Sequence, residues 1–421
     1  MRRLLAYEWG KLFHLPALWV FLGLCLAFNG LLLGSVTPGD QAFFHQTSQA
    51  AETLGVRVGA DFVAGLSQLP QTEERDLLLQ AVAGLENTFE AYDTDELANF
   101  YQSVIEGDLL AQRWLAWKYD LLQGRVEHLA DTGAALDLYA GPATHGSHQF
   151  LFNTLIRAVV TEGILAGVLS AIWLTGCEGV WRTGGQLCVT RTGRKLWRVK
   201  LLAALGVDLL LYALLVLATL GAYFLLLDYG GLWASSVSSQ FNYYSEMFYI
   251  RPYLTWGDFT VGQYLAATLA GGGVLTAVFA LLAGALGLLT GHAYAAAIGV
   301  VLFCTLSVGA ASGLATAGWW TAYLLANFLP VNLWLSLSAW FTEMGLYGAV
   351  PWQETAGLAV SLAVSQKGCG INGPAGLGTE KNLAARPAGR HRPHRTGVLA
   401  DPHRILHRAP GQQLGGRDRA D

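Results

Sequence analysis

FTVGQYLAATLAGGGVLTAVFALLAGALGLLTGHAYAAAIGVVLFCTLSVGAASGLATAGWWTAYLLANFLPVNLWLSLSAWFT, residues 259–342, contains no Asp, Glu, Lys or Arg. A charged side chain is costly in hydrocarbon, so a run this long without one points to lipid as its solvent. At roughly twenty residues per crossing it holds up to three spans, or two and a re-entrant hairpin. Its punctuation divides it. Tyr264 to Leu289 reads as one span, and the turn Thr290-Gly291-His292 separates it from the next, Tyr294 to about Gly313. Trp319 to Phe341 carries Pro330 and either crosses fully or dips in and returns. Gly287/Gly291 and Gly309/Gly313 have the small-x-x-x-small spacing that lets helices approach closely.

Working outward, the rest of the chain fits the same solvent. Hydrophobic residues make up 53% and charged residues 13%, against about 25% charged in soluble domains. A net charge of −4 gives no electrostatic footprint for nucleic acid. Residues 1–16 read MRRLLAYEWGKLFHLP, with Arg2, Arg3 and Lys11 against Glu8, and residues 17–36 carry no charge. That stretch is long enough to cross and lacks a cleavage site, so it reads as an uncleaved first span with the basic N-terminus in the cytoplasm.

Residues 37–150 differ in kind, with 17 acidic against 5 basic side chains, no cysteine, and apolar residues at helical spacing. They read as an acidic, helical, extracytoplasmic domain without a disulfide framework. Residues 151–366 form the transmembrane bundle. Leu151 to Gly176 is the second span and Leu201 to Leu227 the third. Between them the loop 177–200 sets Arg182, Arg191, Arg194, Lys195, Arg198 and Lys200 against Glu178 alone, which marks it as cytoplasmic. Residues 228–263 form an aromatic-rich external loop, and Arg251 is the one basic residue between Lys200 and Lys367. The fold class expected is an all-α integral membrane protein of about six transmembrane helices plus the helical extracytoplasmic domain.

Three ionisable residues fall inside spans: Arg157, Glu162 and Asp208. Glu162 either lines a transport path or pairs with Arg157 or Asp208. If the span starts later, Glu162 and Arg157 lie near the outer interface instead. Cys177 and Cys188 lack the partners of a zinc site. No P-loop, H-E-x-x-H or nucleophile elbow is present, so no catalytic residue, metal or cofactor is assigned. An intramembrane enzyme using Glu162 has one histidine within 151–366 to work with, His292.

The loop, CEGVWRTGGQLCVTRTGRKLWRVKL, places Glu178, Arg182, Thr183, Leu187, Arg191, Gly193, Arg194 and Lys200 in an order that resembles the cytoplasmic coupling loop of ABC exporter permeases. The layout resembles that family over residues 1–365: one span, a large external domain, a second span, the loop, then four more spans, which implies that Trp319–Phe341 dips in and returns. The resemblance implies a permease subunit in the inner or plasma membrane that exports a peptide, antibiotic or lipid-like substrate. It implies ATP hydrolysis by a separate ABC ATP-binding subunit seated on Glu178–Lys200, with Leu187 and Val189 as apolar anchors and Arg191, Arg194 and Lys195 as charge partners. It also implies a homo- or heterodimer of permease chains. The same basic residues would mark any cytoplasmic loop and contact lipid headgroups. The alternative is a membrane-anchored sensor or regulatory protein whose external domain binds a ligand.

Residues 353–365 begin like a last span and stop early. From Lys367 to Asp421 there is no Phe, Trp or Tyr, while eight Arg and four His appear. Residues 367–421 read as a disordered basic tail or as out-of-frame translation past about Gln366.

Overall fold

The computed structural model describes residues 2–180, 193–246 and 249–368. Arg2–Phe13 forms α1, and Pro16, at the first position of the next helix, starts α2 (Pro16–Leu33). Gly34 ends α2. The capping box of Thr37 and Asp40, with Pro38 at the first turn, then opens α3 (Pro38–Leu54). Four more helices complete the acidic segment: α4 (Ala60–Gln68), α5 (Glu73–Val82), α6 (Thr94–Val104) and α7 (Leu109–Thr132). Thr72, Asp93 and Asp108 cap the last three, accepting from backbone amides of the first turn.

The second span departs from the expected boundary at Leu151. A short α8 (Thr144–His148) runs through π-helical turns (Gln149–Ile156) into α9 (Arg157–Val180) without a break. Residue 150 is therefore inside a helix, and the acidic segment and the bundle share one continuous element. They also share a core: Phe44, Phe62, Leu66 and Leu78 of the acidic segment cluster with Phe152, Leu155, Tyr223 and Tyr264.

The third span is α10 (Gly193–Leu226), 34 residues long. At 1.5 Å per residue it extends about 51 Å, well beyond a hydrocarbon core of about 30 Å. It begins eight residues before the expected Leu201, so the basic end of the loop is helical. A two-stranded antiparallel hairpin follows, β1 (Tyr243–Glu246) and β2 (Tyr249–Pro252), with Tyr243 opposite Pro252. It is the one departure from an all-helical chain among the described elements.

Thr260 and Gln263 form a capping box that starts α11 (Val261–Thr290). Gly291, at φ 66°, turns the chain into α12 (Ala293–Thr316), as its sequence position anticipates. Trp319–Phe341 forms no helix long enough to cross a membrane. It folds into two short helices, α13 (Trp320–Ala326) and α14 (Pro330–Leu335), with Pro330 starting the second. The final helix, α15 (Gln353–Gly368), has 16 residues, about 24 Å, and packs on α11. The expected tail beyond Gly368 lies outside the described residues.

The fold is mostly helical, and five of its helical stretches are long and apolar enough to cross a membrane. α9 and α11 form the centre. α2 and α12 flank them with only 22% of each apolar window buried. Trp19, Leu24, Phe28 and Leu31 on α2, and Ile298, Val301, Leu302 and Leu306 on α12, are left exposed. Burying apolar surface is favourable by about 25 cal/mol per Å². Apolar stripes this long, unpartnered by protein, suit helices that cross a membrane.

Candidate functional site

The predicted loop falls mostly outside the described residues. Arg182, Thr183, Leu187, Val189 and Arg191 are not described, and of Glu178, Arg194 and Lys195 only the helical backbone is. What the structure describes is the foot on which the loop stands. Lys200, expected at the loop's end, is fully buried. Its ammonium donates to the Leu174 carbonyl of α9 at 2.6 Å, lies 3.6 Å from Cys177 Sγ, and is 3.8 Å from Glu8 Oε2 of α1. Lys11 closes on the same carboxylate group, 2.8 Å from Glu8 Oε1. The N-terminal helix is thus fastened across the foot of α9 and α10. Trp9 tightens it: a Cβ on Gly206 of α10 would sit 2.8 Å from the Trp9 ring.

The far end of α10 meets the acidic segment. Just past Leu226, Asp228 accepts from Ser48 Oγ at 3.2 Å and lies 2.9 Å from His45 Nδ1, both on α3. Gly231 donates its amide to Ser48 Oγ at 2.9 Å. A Cβ on Gly231 would stand 2.5 Å from the Ser48 carbonyl oxygen, so glycine is required for this approach. One helix therefore connects the loop to α3 of the acidic segment.

Arg157, Glu162 and Asp208 do not pair with one another. Glu162 of α9 accepts from Asn29 Nδ2 of α2 at 2.9 Å, and the same amide donates to Thr219 Oγ1 of α10 at 2.9 Å. Arg157 donates to the Leu335 carbonyl of α14. Asp208 is fully buried, with both carboxyl oxygens lacking a well-formed hydrogen bond. It lies against Gly167 of α9, where a Cβ would come within 2.8 Å of the carboxyl carbon. The expected pairing fails because the three occupy different levels and faces of the α9–α10 contact. Asn29, the hub of the upper level, escaped notice, although a lone Asn within an apolar run signals a buried partner.

Sequence reasoning also missed a buried ionic network between the acidic segment and the stretch after α14. Lys118 of α7 donates to Glu343 Oε1 at 2.8 Å and to the Gly345 carbonyl at 2.8 Å. Tyr119 Oη donates to the same carboxylate oxygen at 2.9 Å, and Arg251 of β2 lies 3.3 Å from Glu343 Oε2. Burial pushes the Glu343 carboxyl up. The Lys118 ammonium, the Arg251 guanidinium and the two side-chain hydrogen bonds outweigh it and hold the group down at about 2. Nearby, Asp108 accepts from Thr321 N and Thr321 Oγ1, each at 2.8 Å, pinning α13 to the start of α7. The Thr321 amide is the main influence holding the Asp108 carboxyl below its usual range. The sequence signal for Glu343 was its place as the first charge after the 259–342 run. For Arg251 it was isolation among apolar and aromatic neighbours.

No family model, no curated protein and no solved structure matches this chain.

Proposed function

We propose that this chain is the permease subunit of an ABC exporter, seated in the inner or plasma membrane with its N-terminus and the 177–200 loop in the cytoplasm and the acidic domain outside. A separate ABC ATP-binding subunit docks on the loop, and two permease chains, identical or not, form the pathway. The observation that carries the reading is the continuity of α10. Its foot is clamped by Lys200 to α9 and brought close to Glu8 of α1, and its head docks on α3 through Asp228. A hydrogen-bonded helix resists compression and bending, so displacement of the loop moves the head with it. The loop's order of Glu178, Arg182, Thr183, Leu187, Arg191, Gly193, Arg194 and Lys200 supplies the resemblance, and Arg191, Arg194 and Lys195 the charge for an acidic groove.

The test is co-purification from the native membrane with mass spectrometry, wild type beside the Arg191→Glu/Arg194→Glu/Lys195→Glu variant. An ATPase subunit present with the wild type and lost with the variant is the expected result. An ATPase retained by the variant removes the loop from the interface. No ATPase under gentle extraction leaves the sensor reading, which needs no such partner.

A further inference from the structure

A cavity of about 490 Å³ opens in the acidic domain, within the range of about 300–1,000 Å³ typical of small-molecule sites. Two chain segments line it. The first is the turn from Gly84 to Leu97 between α5 and α6, which brings Glu86, Asp93 and Glu96. The second comes from the region between α10 and α11 and brings Gln240 and Arg251. Tyr92 adds an aromatic wall.

The lining carries both charges, and their supports differ. Arg251 is 4% exposed and is held from behind by Tyr101 Oη at 3.2 Å and Glu343 at 3.3 Å. A guanidinium fixed this way keeps its position without a ligand. Asp93 is committed to capping α6 through the amides of Asp95 and Glu96. Glu86 and Glu96 are exposed carboxylates on the same wall. Two amide oxygens of lining residues, Asn87 Oδ1 and Gln240 Oε1, are buried without a hydrogen-bond partner. The Asn87 amide is oriented by its own donations to Glu90 Oε1 at 3.0 Å and the Ala130 carbonyl at 2.8 Å, which fixes its oxygen as the free acceptor.

A bare cation meets Arg251 here, and a bare anion meets Glu86 and Glu96. A molecule with a carboxylate and an ammonium satisfies both walls. We propose that this cavity binds a zwitterionic amino compound, an amino acid or short peptide, with its carboxylate toward Arg251 and its ammonium toward Glu86 and Glu96. The inference concerns ligand binding by the acidic domain and does not depend on the permease reading.

The test is titration calorimetry on the full chain in lipid nanodiscs, with L-alanine and trialanine as probes beside C-amidated and N-acetylated trialanine. Saturable binding of alanine or trialanine is expected. Each blocked peptide binds at least about tenfold more weakly, because each loses one charged hydrogen-bonding end. The Glu86→Gln/Glu96→Gln variant changes exposed residues only, so it keeps the wild-type melting temperature and loses about tenfold in affinity. Absence of binding by both free probes overturns the proposal. So does a blocked peptide that binds within threefold of trialanine, or a variant that binds as the wild type does.

Discussion

Lys118→Met tests whether the acidic domain and the stretch after α14 are locked together by charge. Lys118 and Glu343 are both fully buried, with 2.8 Å between ammonium and carboxylate. Removing one partner of a buried ion pair costs about 3–5 kcal/mol, because the other charge is left uncompensated. Here Glu343 keeps Tyr119 and the Gly345 amide at 2.9 and 2.8 Å and Arg251 at 3.3 Å. That places the cost near the lower end, about 3 kcal/mol. A folding unit of 150–250 residues loses roughly 2–4 °C per kcal/mol, so the shift is about 6–12 °C. The assay is thermal unfolding of the full chain in nanodiscs, followed by tryptophan fluorescence. Lys118→Met/Glu343→Gln removes both charges and should recover at least half of the loss, giving a coupling energy by double-mutant cycle.

The pH profile adds a signature. The folded Glu343 carboxyl is held at about 2, below its ordinary 4.5. Its contribution to stability is therefore fully present above about pH 4.5 and is lost as pH falls through 4.5 toward 2. In Lys118→Met the folded carboxyl rises toward its ordinary value, so this variant should lose less stability than the wild type as pH falls from 4.5 to 2. A single variant within 2 °C of wild type, or a double variant worse than the sum of its singles, would refute the reasoning.

Other predictions follow from the same contacts. Gly231→Ala places a Cβ 2.5 Å from a backbone oxygen of α3, so about 1–3 kcal/mol of stability is lost; chemical unfolding of the purified chain measures it. Asn29→Leu removes the amide that donates to Glu162 and costs about 1–3 kcal/mol. Asn29→Leu/Glu162→Gln should unfold at a higher temperature than Asn29→Leu alone. Asp108→Ala removes the cap of α7 and the anchor of Thr321 together, costing about 1–2 kcal/mol. It should also raise hydrogen exchange in 320–326 ahead of the rest of the chain.

The long apolar helices were legible because a membrane-like solvent leaves a blunt mark in sequence: charge disappears, and Gly291 ends one helix where only a left-handed residue fits. Boundaries were less so. The helix through Gln149–Ile156 continues in a π-turn, and no change of composition marks such a register shift. The start of α10 was hidden by its charges, which look like loop until the helix is seen to extend beyond the apolar core. The hairpin 243–252 did leave a signal, since Tyr and Ile favour strands, but its aromatics were read as external loop. The networks were not legible. Lys118 and Glu343 are 225 positions apart, and nothing local in either neighbourhood names the other. Asp208 and Gly167 meet only because a missing side chain admits a carboxyl. Both facts belong to packing.

The proposed exporter places the 177–200 loop and the acidic domain on opposite faces of a membrane. Single cysteines at Arg191 and at Glu96, in a chain whose five native cysteines are replaced, test it by labelling with a membrane-impermeant maleimide. Glu96→Cys should label in intact cells and Arg191→Cys only after permeabilisation. Labelling of both in intact cells, or of neither until permeabilisation, would contradict it.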